Sequence, residues 1–461
     1  MARGNPVVRV PGMRVELGPN RRWAIAVLLG AAILALTVIL ITRDPVASAV
    51  GAVAIGGIAV ALVIGRWLGL RHARSTADRS WDALRAAAGR PRPGTGAVSL
   101  WFYPGFDPNP YTTLLYQELP TQGLDAVPMA TLDELHDIPS GGLFHYHWTE
   151  RLQGGVRRHS EAEARVERQL AAFAALKDRG VGLIWSVHEV LPHECPYPDV
   201  EQRYRQQLAA MADLIHVLHP ATIDEVAPLY SLDPAKVVTV EHPLYTGAVP
   251  DHVSRAAARQ ALGVDDAETL LLGFGALRAY KGFDRLLRAV PDLQRHTAGH
   301  GVRTLVVGRP DPNHESWRHD DVLADLARGL PRTEVVAASV PDHLVQYVFR
   351  AADLLVLPYR RGLNSGALFL GLTFGVPLVA ARNGVTAELA SHVPIHLFDR
   401  DSDEDLLRAL VSAVQEGRRR ASLDEAFILE HLPREVSRRF GGALRERFPQ
   451  RFSEVADSRG S

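Results

Sequence analysis

The sequence predicts an α/β protein with two doubly wound, Rossmann-like domains that face a cleft, preceded by two transmembrane helices. Three observations lead to this prediction. The 461 residues exceed what one hydrophobic core usually organises. Two long charge-free apolar stretches lie near the N-terminus. After residue 97, short apolar runs alternate with helical patterns, which is typical of parallel sheets.

The apolar stretches occupy residues 23–42 and 46–65, and each is long enough to cross about 30 Å of hydrocarbon as a helix. Arginines precede the first and follow the second, while only a short turn separates them. Because arginine near the end of a span is retained on the cytoplasmic side, the pattern predicts a hairpin in the cell membrane with everything after it in the cytosol. A cleavable signal peptide would have a shorter apolar region and a cleavage site.

The charge balance and the cysteine count indicate which kinds of partner and metal site to expect. There are 51 basic and 52 acidic residues, so the net charge gives no reason to expect nucleic acid as a partner. Cys195 is the only cysteine, which excludes an intrachain disulfide and a thiolate metal cluster. We therefore expect a reducing compartment and no structural metal.

Prolines and glycines at residues 89–96 indicate a linker, and a helix is predicted to begin at a capping box of Ser160 and Glu163 and to end before Gly180. Strands are predicted at residues 99–103, 142–147, 182–187 and 214–218, then at 269–275, 304–308, 334–337, 354–357 and 377–381. The predicted organisation is a basic cytosolic N-terminus (1–22), the hairpin (23–66), a basic helix with linker (67–96), an N-terminal domain (97–240), a C-terminal domain (241–420) and a C-terminal helix crossing back (421–461).

The segment at residues 273–290 reads as a strand, a glycine-flanked turn and a helix. Gly275 and Gly282 flank the turn, which contains Arg278 and Lys281. A helix N-terminus beside two cations attracts phosphate through its free N–H groups, its dipole and direct charge pairing. The segment predicts a phosphate site, with a basic surface turn as the alternative.

A second strand, loop and helix lie at residues 353–384. Asn364, Ser365 and Gly366 stand where the loop becomes a helix, so their amides could hold a diphosphate, and Gly366 would permit close approach. Ser365 could equally be an ordinary N-cap.

Histidines follow two neighbouring strands of the first series. His145 and His147 alternate on one strand and His188 ends the next, which predicts that imidazoles converge at one sheet edge and line a cleft. The alternative is partly buried histidines bonded to backbone carbonyls, which we expect for His145 and for one other histidine. The spacing matches no familiar metal site, and carboxylates such as Asp403 are common in the first turn of a helix, so no metal is predicted.

The two phosphate-site segments resemble the donor-binding domain of GT-B-fold glycosyltransferases of the group 1 type. The resemblance covers residues 99–445 and is strongest at residues 278–282 and 364–377. Many members carry two glutamates where Gly362 and Leu370 stand here, and an arginine where Ala276 stands. The Asn-Ser-Gly version is similar to bacterial polysaccharide-assembly and β-mannosyltransferase-like enzymes.

The resemblance implies an N-terminal acceptor domain, a C-terminal nucleotide-sugar domain and no metal or other cofactor. It implies partners of three kinds: a nucleotide sugar, a lipid-linked or glycan acceptor, and the bilayer. His188 then contacts the donor sugar, and the base is left open between Glu189, Glu150 and an imidazole. Alternative functions are an epimerase of the same architecture and a catalytically degenerate binding scaffold. The catalytic candidates are His188, Glu189 and His147, and the donor-binding candidates are Gly275, Arg278, Lys281, Gly282, Asn364, Ser365 and Gly366.

Overall fold

The structure is a computed structural model. All the residues that it describes belong to one compact unit of the chain. They are residues 97–105, 109–149, 152–192, 195–297, 301–310, 317–417 and 423–453.

The first sheet has six parallel strands in the order β2-β1-β3-β4-β5-β6. Its central strands are buried on both faces and mostly apolar, which suits a parallel sheet covered by helices. The strands are β1 (Val98–Tyr103), β2 (Leu124–Pro128), β3 (Leu143–Tyr146), β4 (Gly182–Val187), β5 (Leu214–Val217) and β6 (Val237–Thr239).

The second sheet also has six parallel strands, in the order β12-β11-β10-β7-β8-β9. The described part of the chain thus contains two parallel-sheet, Rossmann-like α/β domains. The strands are β7 (Glu268–Phe274), β8 (Gly301–Gly308), β9 (Thr333–Ala337), β10 (Leu354–Leu357), β11 (Leu378–Ala381) and β12 (Ile395–Phe398).

Helices connect the strands and cover both sheets. In the described residues they are α1 (Tyr111–Tyr116), α2 (His159–Asp178), α3 (Pro198–Met211), α4 (Thr222–Val226), α5 (Arg255–Leu262), α6 (Phe283–His296), α7 (Trp317–Arg328), α8 (Asp342–Ala351), α9 (Gly366–Thr373), α10 (Gly384–Leu389), α11 (Asp403–Glu416), α12 (Glu425–Glu430) and α13 (Pro433–Arg447).

The last helix, α13, packs on the first sheet rather than on the second, which precedes it in the chain. Val436, Phe440 and Leu444 are fully buried in the same cluster as Leu115 of α1 and Ile184 of β4. The C-terminal segment therefore completes the core of the first domain.

Every predicted strand is present, but the sequence did not predict β2, β6 and β12. The predicted capping box is wrong, because α2 begins at His159 after an extended Arg158, with no side-chain cap. Ser160 lies inside the first turn, and the Glu163 carboxylate pairs with Arg203 of α3 instead.

Within the described residues, no helix is long and apolar enough to cross a bilayer. The predicted hairpin at residues 23–66 and the linker at residues 89–96 lie outside them.

Candidate active site

The predicted phosphate turn lies at the carboxyl end of β7. Gly275 has a φ of 119°, and a Cβ there would collide with the Lys281 Nζ. The lysine amine therefore reaches back over Gly275, with its Nζ 5.2 Å from the centroid of the Tyr359 ring. Among the described residues Lys281 forms no ion pair, which leaves its charge available to an anion. Arg278 starts the same turn and is half-buried.

Gly282 joins this turn to α6 and allows the backbone to fold tightly. Its φ is 66°, and a Cβ there would collide with the carbonyl oxygen of Pro358. Only glycine satisfies both conditions without strain.

Arg360 fixes the turn from the next connection. Its guanidinium donates two hydrogen bonds to Asp284, of 2.7 and 2.8 Å, and a third to the carbonyl of Ala279 in the turn. Burial raises the pKa of Asp284, but the hydrogen bonds and charge of Arg360 outweigh it and hold the pKa below its usual value. Arg360 therefore stabilises the folded turn, whereas the Lys281 amine has no ion-pair partner among the described residues and can bind a ligand.

The loop before α9 brings the second predicted segment into the cleft. Ser365 is the N-cap of α9 and accepts a bond from the Leu368 N–H at 3.3 Å, so the N-cap alternative describes its side chain. A Cβ on Gly366 would lie 2.7 Å from the Tyr245 hydroxyl, so this position requires glycine. Tyr245 in turn donates to Asn109 at 3.1 Å.

A cavity opens beside this loop at the carboxyl ends of β10 and β11. Its polar wall includes Tyr359, Asn364, Ser365, Asn383 and Thr386. The Asn383 side chain is held by the Thr386 N–H and donates to the carbonyl of Gly362, so the wall is rigid before any ligand arrives. Hydroxyl and amide groups of this kind recognise the polar groups of small molecules.

The opposite wall is formed by histidines at the carboxyl ends of β3 and β4. His147 Nδ1 and His188 Nε2 lie 2.9 Å apart and are hydrogen-bonded. The Trp148 ring stacks on His188 with a centroid distance of 4.3 Å, and the edge of Tyr111 approaches at 5.2 Å. The Tyr111 hydroxyl is buried and has no hydrogen-bond partner within the described residues. A buried unsatisfied hydroxyl beside a cleft is a position where a ligand can supply the missing bond.

His145 is fully buried rather than partly buried, and its bonds also differ from the expectation. Its ring nitrogens contact the hydroxyls of Tyr116 and Ser186, each at 2.7 Å, rather than backbone carbonyls. His216 of β5 does contact a backbone carbonyl, with its Nε2 2.8 Å from the oxygen of Val240.

Burial lowers the pKa of each of these imidazoles, and neighbouring imidazoles lower it further for three of them. The pKa values of His145, His147 and His188 lie well below the usual 6.5, and that of His216 falls to about 4 because of burial. The group is therefore neutral at neutral pH, and a neutral imidazole can accept a proton.

Glu189, the predicted carboxylate candidate, is buried away from the histidine pair. Its carboxylate lies 3.4 Å from the guanidinium of buried Arg205, which also binds the backbone carbonyl of Glu189 and the carboxylate of Glu201. Such pairing stabilises an ionised carboxylate and weakens it as a base. Glu150 lies outside the described residues.

The two walls meet through one hydrogen bond. Asn364 Nδ2 donates to the backbone carbonyl of His188 at 3.3 Å. The structure thus brings Asn364, Ser365 and Gly366 to the histidine wall, while Lys281 and Gly275 lie together at the neighbouring strand end.

A segment in the C-terminal part of the chain matches a known family model. Residues 268–416 match the family model for glycosyl transferases group 1. This chain is 28% identical over 321 residues to the D-inositol 3-phosphate glycosyltransferase of Rhodococcus jostii, and the alignment covers 68% of each chain. It is 26% identical over 318 residues to the GDP-mannose:glycolipid 4-beta-D-mannosyltransferase of Xanthomonas campestris, and that alignment covers 68% of this chain and 82% of the relative. The protein is a glycosyltransferase, and over residues 268–416 it is similar to those of group 1.

Solved structures agree on the fold of this glycosyltransferase. Anabaena HepE in complex with UDP and glucose aligns with a TM-score of 0.51 at 14% identity, covering 79% of this chain and 99% of that one. Sucrose-phosphate synthase from Thermosynechococcus elongatus gives 0.51 at 14% identity, covering 78% and 98%. The architecture is therefore GT-B.

The carboxylates at the start of α11 take part in the fold of the glycosyltransferase. Asp403 pairs with Arg285 of α6, and Ser402 caps the helix through the Asp405 N–H. Within the described residues, no three histidine, cysteine or acidic side chains are grouped as ligands of a metal ion.

The sequence did not point to Tyr116, Ser186 or His216 as site residues of the glycosyltransferase. The available signal was weak: Ser186 and His216 are paired positions on adjacent buried strands, where polar side chains are unusual.

Proposed function

We propose that the protein transfers a sugar from a nucleotide-diphosphate sugar to an acceptor hydroxyl held beside His188. The observation that carries this proposal is the hydrogen bond between Asn364 and the carbonyl of His188, because it joins the predicted donor loop to the imidazole wall. A sugar between the two walls would lie within reach of both. The reaction needs a cationic side for the leaving diphosphate and a group that accepts the proton of the attacking hydroxyl.

The diphosphate is assigned to the turn of Arg278 and Lys281. The neighbouring arginines have other tasks: Arg285 pairs with Asp403, and Arg360 clamps Asp284. Lys281 has no carboxylate partner among the described residues and leans over Gly275, where the backbone permits close approach. Together with the N-terminus of α6, these cations can stabilise the negative charge that develops on the leaving group.

The proton of the acceptor is assigned to His188. Its imidazole is neutral and half-buried in the cleft, whereas the Glu189 carboxylate is paired with Arg205. Of these two candidates, His188 is therefore better suited than Glu189 in both position and protonation state.

The acceptor is proposed to be lipid-linked, in the synthesis of a cell-surface polysaccharide or glycolipid. Residues 23–66 support a membrane anchor through their two apolar stretches, with the catalytic domains in the cytosol at the cell membrane. The Xanthomonas relative is named for a glycolipid acceptor. An anchored enzyme gains from such an acceptor because both are confined to one surface.

Titration calorimetry on the full-length protein with UDP and with GDP tests the donor assignment. Charge-assisted hydrogen bonds are worth about 1.5–3 kcal/mol, so Arg278→Ala and Lys281→Ala should each weaken binding by roughly 10- to 100-fold. Binding of the nucleoside alone should hardly change, since it lacks the phosphates.

Lys236→Ala is the matched control, because Lys236 is a lysine of the first domain that bonds only to the Ala210 carbonyl among the described residues. Equal affinity of wild type, Arg278→Ala and Lys281→Ala for the nucleoside diphosphate would remove this turn from the active site. Turnover of a nucleotide sugar without transfer to an acceptor would favour the epimerase alternative.

A further inference from the structure

A continuous chain of hydrogen bonds runs from the cleft into the core of the first domain. It joins four imidazoles, one phenol and one hydroxyl, taken from α1 and three adjacent strand ends. The links are His188 Nε2 to His147 Nδ1 (2.9 Å), His147 Nε2 to Tyr116 Oη (2.6 Å), Tyr116 Oη to His145 Nδ1 (2.7 Å), His145 Nε2 to Ser186 Oγ (2.7 Å), Ser186 Oγ to His216 Nδ1 (2.7 Å) and His216 Nε2 to Val240 O (2.8 Å).

The inner end of the chain has only one possible polarity. A backbone carbonyl can accept a hydrogen bond but cannot donate one, so His216 must carry its proton on Nε2 to contact Val240. His216 is fully buried and neutral, which leaves its Nδ1 without a proton. The Ser186 hydroxyl must therefore donate to His216 Nδ1.

The direction of donation at this inner end fixes which atom donates in each of the remaining hydrogen bonds toward the cleft. The Ser186 hydroxyl has a single proton, so it accepts from His145, whose proton must lie on Nε2. Tyr116 then donates to the bare Nδ1 of His145. By the same rule, Tyr116 accepts from His147.

The outer end of the chain is thereby defined at the cleft. His147 carries its proton on Nε2, so its Nδ1 accepts from His188 Nε2. His188 is left with a bare Nδ1, which has no hydrogen-bond partner within the described residues. Of the ring nitrogens in this hydrogen-bond chain, it is the one with neither a proton nor a hydrogen-bond partner within the described residues, so it can accept a bond from a ligand.

We propose that Tyr116, His145, Ser186 and His216 are positioning residues that hold His188 in its Nε2–H tautomer, so that its Nδ1 is presented to the acceptor hydroxyl. This inference rests on the proposed function only in the identity of the ligand group that His188 meets. An isolated imidazole would exchange between two tautomers, and only the one with a bare Nδ1 could receive the proton of an attacking hydroxyl at this position.

The surroundings keep the chain in one state. His145 and His216 are fully buried, and burial and the neighbouring imidazoles keep the pKa values of His145, His147 and His188 well below 6.5. A proton added to His147, His145 or His216 would leave two donors facing each other. Neutrality and the Val240 anchor thus maintain the same direction of every bond.

Nitrogen-15 NMR of histidine-labelled full-length protein reads the tautomers directly, because a protonated and a bare ring nitrogen have different chemical shifts. The His188 signals are assigned by their loss in His188→Gln. In wild type we expect His188 to carry its proton on Nε2 alone. In Tyr116→Phe, which removes only the hydroxyl, His147 loses its acceptor, so His188 should become a mixture of tautomers.

Ser186→Ala is the second variant, because it cuts the chain at a different link. In this variant His145, His147 and His188 should each become a mixture of tautomers, whereas His216 should keep its proton on Nε2. Both variants should lower kcat about tenfold or more and leave the KM for the nucleotide sugar within about twofold, since the effect acts through the base alone. Tyr347→Phe, the same chemical change on α8 of the other domain, should alter neither tautomer nor kcat.

A proton on Nδ1 of His188 in wild type, or an unchanged His188 tautomer in both variants, would overturn the inference. The wild-type spectrum alone shows the direction of donation along the hydrogen-bond chain, even where a variant does not fold. Mixed tautomers in the variants, together with full turnover by His188→Ala, would support the positioning chain and instead overturn the proposed role of His188.

Discussion

The buried imidazoles predict a protein that loses stability in mild acid. The pKa of His216 falls to about 4 in the folded state, against about 6.5 in an unfolded chain. The unfolded state therefore takes up a proton first as the pH falls. The stabilising contribution is fully present above pH 6.5 and is lost as the pH drops toward 4.

The size of the effect follows from the two pKa values. For His216 alone, acidification from pH 7 to pH 5 lowers the free energy of unfolding by roughly 2 kcal/mol. For a domain of this size that corresponds to a fall in Tm of about 4–8 °C. His145, His147 and His188 act in the same direction, so the observed fall should be larger.

The measurement is thermal unfolding of wild type and His216→Asn at pH 7, 6 and 5. Asparagine keeps an acceptor for Ser186 but cannot titrate in this range, so the variant should start at a lower Tm and lose less of it on acidification. His343→Asn makes the same change at an exposed position of α8 and reports the effect of the substitution itself. Ordinary carboxylates titrate below pH 5 and contribute little in this window.

One exposed histidine acts in the opposite direction. The hydrogen bond to Asp199 raises the pKa of His159, so this group gains stability as the pH falls toward 6. Its exposure limits the gain. A wild-type Tm that is constant between pH 7 and pH 5, or an equal loss in His216→Asn, would refute the conclusion that the chain of imidazoles is kept neutral by burial.

Three further predictions concern the fold, the site and the membrane. In a thermal unfolding assay, Gly282→Ala should destabilise the protein by more than about 2 kcal/mol, because φ is 66° and a Cβ would collide with the Pro358 carbonyl. Gly263→Ala is the control: its φ is 63° but a Cβ there meets open space, so it should destabilise the protein by only about 1 kcal/mol. His188→Ala should lower kcat by about 100-fold or more with nucleoside diphosphate affinity within about threefold, and unchanged turnover would make His188 structural. A cysteine placed within residues 90–96 should escape an impermeant reagent in intact cells, and strong labelling there would contradict the cytosolic orientation.

Most of the strands that the sequence predicted are buried on both faces, although the predicted edge strand Thr333–Ala337 is partly exposed. Leu354–Leu357 is apolar throughout, and only Ser186 is polar in Gly182–Val187, so local composition indicates both strands. The missed strands, Leu124–Pro128, Val237–Thr239 and Ile395–Phe398, are short and partly exposed, and tertiary pairing at or near the sheet edges decides their conformation.

For the site, spacing along the chain predicted the turns but not the partners. Gly282 and the N-cap at Ser365 are local features, and the sequence contains their signals. Arg205 stands sixteen residues after Glu189, on a different element, and no local pattern predicts that they pair. Tyr116 joins His145 and His147 from a helix nearly thirty residues earlier, a contact that only the folded sheet creates.

The two walls differ in charge in a way that suits the proposed transfer. The side of the cleft proposed to hold the donor has the half-buried cations Arg278 and Lys281 beside helix N-termini. The histidine wall, which is proposed to face the acceptor, presents imidazoles that burial keeps neutral. An ionised carboxylate at the position of His188 would repel the departing diphosphate, and a protonated imidazole could not accept the proton of the attacking hydroxyl. A neutral base avoids both conflicts. The charge then moves from the hydroxyl to the diphosphate as the bond breaks, and the cations stabilise it where it forms.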